Sequence, residues 1–171
     1  MVKNPNKNRV FKYNRRVRGQ TNYHQRLALL KSKMPRCVIR KSNNGMVVQI
    51  TEFKPQGDKI VTSTRAADLK SLGYTLHTGN LVASYLTGML AAKRAQKAGL
   101  KGEVIIDFGL QKVEYGNRLF ASVKGLIDGG LDVRVGEGVF PADERLNGEH
   151  LSGKDAAKVI DKVKKAIGGM K

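Results

Sequence analysis

The first 41 residues contain 13 lysines and arginines and not one aspartate or glutamate. Like charges at this density repel one another, and the leading 20 residues show no apolar periodicity with which to bury surface in compensation. Within them Lys3, Lys7, Arg9, Lys12, Arg15, Arg16 and Arg18 are interleaved with Phe11 and Tyr13. Such a stretch is expected to be disordered alone and to order on a polyanion. The rest of the chain is far closer to balance: 8 cations against 3 acids over residues 42–102, and 11 against 11 over residues 103–171. The net charge of +18 is therefore concentrated at the front. A footprint of this kind points to nucleic acid first and to an acidic membrane surface second. Aromatics mixed with guanidinium groups suit RNA, whose unstacked bases can lie on both, better than duplex DNA, which hides its base faces. No helix-turn-helix glycine spacing, zinc-finger ligand set or basic zipper is present, which excludes the common duplex-reading modules.

A chain of 171 residues with 40% hydrophobic content closes one sizeable core and leaves little for a second. The expected organisation is a basic extension over 1–20, an α/β RNA-binding domain over 21–150 and a C-terminal helix over 151–171. One cysteine, Cys37, cannot make an internal disulfide, and His24, His77 and His150 have no metal-ligand spacing, so neither metal nor cofactor is expected. Reducing cytosol fits this usage. No apolar run follows the basic start before Leu27, so a secretory signal lacks its hydrophobic segment. The uncharged window Ser71–Ala92 is long enough to span a bilayer, but its histidine, asparagine, hydroxyl residues and glycines mark it as buried protein.

Along the chain, Tyr23, Leu27 and Leu30 at i, i+4, i+7 predict a short amphipathic helix over 21–33, with Thr21 as its cap and Pro35 as its stop. Two β-branched runs, 36–42 and 46–53, flank Asn43-Asn44-Gly45. If Asn44 and Gly45 form a type I′ turn, Ile39 faces Ile50 on the core side and Arg40 faces Gln49 on the wet side. A turn at 54–58 leads to a third antiparallel strand over 59–64. The period then changes to helical: a short turn of helix over 66–72, a long helix over 80–98 and another over 118–129, separated by the apolar strand 103–108 and followed by a last strand over 131–135. The expected fold class is α/β: a mixed sheet with an antiparallel three-stranded meander continued by parallel β-α-β, with helices packed on it and a basic N-terminal extension. Glycines 88, 125, 129 and 130 are expected to end helices or bring them close to the sheet. A short helix is expected over 142–146. Ser152 and Asp155 resemble a capping box for a terminal helix with an apolar stripe of Ala156, Val159, Ile160, Val163 and Ile167.

The sharpest enzymatic reading is a Mg²⁺-dependent RNA nuclease in which Asp107, Asp128 and Asp132 share a metal. It lacks a further acid to complete the ligand set, since none precedes Glu52. Asp107 is better read as a hydrogen-bond acceptor for nearby amides, and Cys37 as a small hydrophobe within a strand.

Several segments, in order along most of the chain, carry a more specific signal: TNYHQRLALLKS (21–32), PRCVIRKSNNGMVVQI (35–50), DLKSLGYTLHTGNLVASYLTGMLAAKRAQKAG (68–99), VIIDFGL (104–110), RLFASVKGLIDGGLDV (118–133) and DERLNGEH (143–150). Together they resemble the archaeal and eukaryotic form of large-subunit ribosomal protein eighteen. The resemblance implies a non-catalytic protein of the large ribosomal subunit. It would hold 5S rRNA against 23S rRNA in the central protuberance beside neighbouring ribosomal proteins, with no membrane and no small-molecule substrate. Its implied RNA contacts are the basic tail with Tyr13, then Tyr23, His24 and Arg26, then Arg36, Arg40, Lys41, Ser42 and Asn43 around the hairpin. It adds Tyr85, Thr87, Lys112, Asn117 and Arg118, which charge alone does not select. At its C-terminal end the chain departs from the family pattern, and no contact is carried across there.

Overall fold

The computed structural model describes residues 11–100, 102–136, 138–151 and 156–170. Alternation of inward and outward side chains sets the sheet. Strand β1 (Arg36–Ser42) turns Cys37 and Ile39 inward, and β2 (Gly45–Glu52) turns Met46, Val48 and Ile50 inward, all at 0–1% exposure. β1 and β2 pair antiparallel, as do β2 and β3 (Lys59–Arg65), and β4 (Ile105–Asp107) joins the free edge of β1 in parallel. The resulting order is β3-β2-β1-β4, a four-stranded mixed sheet.

The hairpin register differs from the one predicted. Ser42 pairs with Gly45, so Asn43 and Asn44 form the turn, Ile39 faces Val48, Arg40 faces Val47 and Cys37 faces Ile50. The shift is two residues, which leaves every side chain on its expected face. Neither turn asparagine nor Gly45 takes a positive φ; among the described residues Lys33 is the one non-glycine that does. A Cβ at 45 would lie 3.2 Å from that of Ala66, a tight contact that favours glycine there.

Helix α1 (Asn14–Val17) is a single exposed turn, and α2 (Tyr23–Lys31) buries no residue fully. Leu27 is 55% exposed, so the predicted inward stripe does not form, and the cap is Asn22, whose side chain accepts from the amides of His24 and Gln25, rather than Thr21. A 3₁₀ turn (Ala66–Leu72) precedes α3 (Leu81–Lys97), capped by Asn80. α3 is the axis of the molecule. Its small residues Ala91, Ala92 and Ala95 lie in the core shared with the sheet and with Leu119, Val123 and Leu126 of α4 (Arg118–Asp128). Its other side chains, including Leu81, Val82, Leu86 and Leu90, form a second core with Leu69, Tyr74, Leu146 of α5 (Asp143–Asn147) and Ile160, Val163 and Ile167 of α6 (Ala156–Gly168). Burial on nearly all sides explains the uncharged run in α3. No helix among the described residues is long and apolar enough to cross a membrane.

Other expectations need revision. The apolar run 103–108 yields a three-residue strand whose isoleucines are half-buried, because it lies at the sheet edge. The strand expected over 131–135 is reduced to one parallel bridge between Glu103 and Asp132. Gly88 and Gly125 bring α3 and α4 against each other rather than against the sheet. The proposed capping box of Ser152 and Asp155 lies outside the described residues. Cys37 is wholly buried, and burial, with a smaller contribution from the Asp107 charge, pushes its thiol up to about 12. It stays protonated and unreactive.

Candidate nucleic-acid interface

One sheet face is covered by α3 and α4. On the outward-facing side of β1 lie Arg36, Val38 and Arg40, with Asp107 next to Val38 on β4. The 54–58 turn and α2 bring Asp58 and Arg26 to the same place. The five charged groups form an alternating chain. Arg26 Nη2 donates to Asp58 Oδ2 at 2.9 Å, and Arg36 Nη2 donates to the same oxygen. Arg36 Nη1 donates to Asp107 Oδ2 at 3.2 Å. Arg40 donates to the Asp107 carbonyl at 2.6 Å and to Oδ1 at 3.3 Å, and the Gly109 amide donates to that carboxylate oxygen as well. The middle of the chain is closed to solvent and its ends are open: the Arg36 side chain is 2% exposed, those of Arg26 and Arg40 35% and 43%. Gln111 extends the sheet edge beyond β4, donating to the Ile39 carbonyl and accepting from the Lys41 amide at 2.8 Å each.

Partial burial works to raise the Asp58 carboxyl, but the hydrogen bonds and charges of Arg26 and Arg36 outweigh it and hold it below the ordinary carboxylate range. Its folded value is thus lower than its unfolded one. The ion pairs contribute stability at every pH above the unfolded value, and this is lost as acid titrates the folded carboxyl. A thermal melt series from pH 7 to pH 3 is expected to show the midpoint of wild type falling more steeply below about pH 4 than that of Asp58→Asn. Parallel acid limbs would remove Asp58 from this role.

The residues singled out from sequence separate into two groups. Lys12, Tyr13, Arg15, Arg16, Arg18, His24, Arg40, Ser42, Asn43 and Lys112 are exposed, and Tyr23, Arg26 and Lys41 are half-buried. The Tyr13 and Tyr23 rings meet at 5.0 Å between centroids, joining the leading segment to α2. Lys3, Lys7 and Arg9 lie outside the described residues. In the second group the wet-face placement of Arg36 is corrected, because α2 and the 54–58 turn enclose it. Thr87 is fully buried and bonds the Ala83 carbonyl; Tyr85 is 7% exposed and its hydroxyl donates to Asp128 at 2.9 Å. Burial and that carboxylate push the phenol up. Asn117 caps α4, accepting from the amides of Leu119 and Phe120. Arg118 donates to the carbonyls of Ser42 and Gly79, tying the hairpin tip to the loop before α3. Sequence reasoning misses Asp58 and Gln111. Asp58 has a signal, being one of three acids in residues 42–102 and standing in a turn; Gln111 has none.

The three carboxylates of the nuclease reading are not assembled. Asp107 is occupied by two arginines, Asp128 by Tyr85 and Lys124, and Asp132 sits in the bridge to Glu103. Among the described residues no group of three or more histidine, cysteine or acidic side chains is placed to hold a metal ion.

A fixed α/β scaffold with exposed cations on one flank, backed by buried ion pairs, defines a basic structural protein suited to a polyanionic surface. Comparison with known proteins gives its family. Residues 7–103 match the family described as ribosomal large subunit proteins 60S L5 and 50S L18. The large ribosomal subunit protein uL18 of Methanoregula boonei is 40% identical over 160 residues, 91% of each chain. That of Natronomonas pharaonis is 50% identical over 138 residues, covering 81% of this chain and 74% of its own, and that of Korarchaeum cryptofilum is 43% identical over 141 residues, covering 82% and 72%. The chain belongs to this family of large-subunit ribosomal proteins. It is accordingly a structural constituent and not an enzyme, which sets the nuclease reading aside.

Proposed function

We propose that the chain binds 5S rRNA and attaches it to 23S rRNA in the central protuberance of the cytoplasmic large subunit, beside other ribosomal proteins. The observation that carries the reading is the front of the chain, 13 cations and no acid in the first 41 residues, of which Arg26, Arg36 and Arg40 pair with Asp58 and Asp107, on a chain whose relatives are large-subunit proteins. Phosphate contacts from Lys3, Lys7, Arg9, Lys12, Arg15, Arg16, Arg18, Arg26, Arg40, Lys41 and Lys112 supply affinity. Tyr13, Tyr23, His24, Ser42 and Asn43 offer rings and hydrogen-bonding groups to unstacked bases. Arg36, Tyr85, Thr87, Asn117 and Arg118 act behind that surface by holding its parts in place. Residues 1–20 order along the RNA, residues 21–150 read its shape, and within the C-terminal segment 151–171 the helix α6 completes the core.

If roughly six phosphates are neutralised, log affinity falls with log salt at a slope of about −4 to −5. Replacing Arg15, Arg16 and Arg18 together by glutamine is expected to weaken binding to every RNA tested and to flatten that slope by about 2 to 3. Filter binding across a salt series reads both numbers. A salt-independent affinity contradicts the proposed function, and an unchanged slope in the triple variant removes the tail from it.

A further inference from the structure

Between the N-terminal end of α2 and the β1–β4 edge lies a cavity of about 150 Å³, walled by Arg15, Asn22, Gln25, Arg40, Asp107 and Leu110 among others. Ordinary small-molecule sites run from roughly 300 Å³ upward, whereas a cavity near 150 Å³ admits one six-membered ring. Three of its lining residues are arginines and one is an acid, and both carboxylate oxygens of that acid, Asp107, are already engaged by Arg36, Arg40 and the Gly109 amide. The field inside is thus positive. The side-chain amide of Gln25 has no partner among the described residues, leaving a donor and an acceptor on the wall. Leu29 and Leu110 line the cavity together with Arg40, whose guanidinium lies against Gly109. An adjoining groove shares Arg15, Thr21 and Arg26 and adds Tyr23 and Asp58, the last paired with Arg26, so a strand entering the cavity passes Arg15 and an aromatic ring on which to continue.

We infer that this cavity receives the six-membered ring of one unstacked base of the bound RNA, its edge read by Gln25 and its face resting on the Arg40 plane, with the ribose outside and the phosphate held by Arg15. Proteins that read single-stranded RNA commonly stack splayed bases on aromatic or guanidinium planes and bond their edges. The inference rests on the RNA-binding function proposed above and adds a discrete base subsite to it.

The test uses the full chain and the four ribonucleoside 5′-monophosphates, followed by amide chemical shifts, with inorganic phosphate at matched ionic strength as the comparison. Saturable shifts are expected at Gln25, Leu29, Gly109 and Leu110 with at least one mononucleotide. Gln25→Ala, an exposed helix position, is expected to weaken that binding about fivefold, as loss of one hydrogen bond does. Inorganic phosphate producing the same shifts at the same concentrations overturns the base subsite. So does binding that is indifferent to Gln25→Ala. A protein that retains 5S rRNA in a filter assay yet shows no localised shift with any mononucleotide overturns the subsite while leaving the proposed function standing.

Discussion

Replacing Gly88 or Gly125 by alanine is expected to destabilise the protein by about 3 kcal/mol or more, at the upper end of what overpacking costs. The two residues occupy reciprocal positions where α3 crosses α4. A Cβ on Gly88 would stand 2.0 Å from the Ser122 carbonyl oxygen, and one on Gly125 would stand 2.0 Å from that of Tyr85. Each glycine therefore rests on the backbone three residues before the other. The obstructing atoms are main chain, which cannot rotate aside as a flexible side chain can, so relief requires separating helices that bound both cores. Helix propensity acts with the opposite sign, favouring alanine by about 1 kcal/mol, and the two effects can be told apart. At Gly168, at the end of α6, an added Cβ would have nothing within 4 Å, so Gly168→Ala is expected to be neutral or slightly stabilising. Urea denaturation of the three variants checks the pattern. Equal effects at all three positions would mean that the crossing is looser than these distances imply.

The second large effect concerns the buried charges. Asp107→Ala is expected to cost about 3–5 kcal/mol, a fall in Tm of roughly 10 °C. It strips Arg36 of one of its two carboxylates inside the protein and removes the carboxylate that orients Arg40 and the Gly109 amide. Arg36→Met is expected to cost less, since Asp107 keeps Arg40 and Asp58 keeps Arg26. Combining Arg36→Met with Asp107→Leu is expected to recover much of the loss of Asp107→Ala, because an apolar pair of similar bulk avoids stranding a charge. Thermal melts of the three variants separate a stranded charge from a simple loss of packing. If the double variant is as unstable as Asp107→Ala alone, desolvation of Arg36 is not the source of the cost.

These two sites mark where reading the chain succeeds and where it stops. The periodic apolar stripes of α4 and α6, and the alternation in β1 and β2, are properties of single elements and are legible in the sequence, those of α4, β1 and β2 at nearly their observed boundaries, whereas α6 runs over Ala156–Gly168 within the expected 151–171. The hairpin is legible too, but its register is not: an Asn-Gly pair signals a positive φ at Gly45, whereas Gly45 takes none and instead stands close to Ala66. The crossing at Gly88 and Gly125 depends on two helices separated in sequence, which no local pattern encodes. For the interface, charge distribution locates the flank but does not show which cations are enclosed. Arg36 and Arg40 alternate on one strand face and look equivalent in sequence; α2 and Asp58, brought in from other parts of the chain, bury the first and leave the second open. Leu27 fits a helical stripe and so reads as core, yet α2 is held over the sheet by the Arg26–Asp58 pair and by half-buried Leu29 and Leu30.

The most direct measurement of the central claim is a gel-shift titration of the pure protein with 5S rRNA and with an unrelated RNA of equal length, at the same moderate salt. A cationic front held on a shaped scaffold predicts that both RNAs are bound and that 5S rRNA is preferred by about tenfold or more, a difference of about 1.4 kcal/mol. Equal affinity for the two would mean that charge alone governs binding, and the assignment of this fold to 5S rRNA would be contradicted.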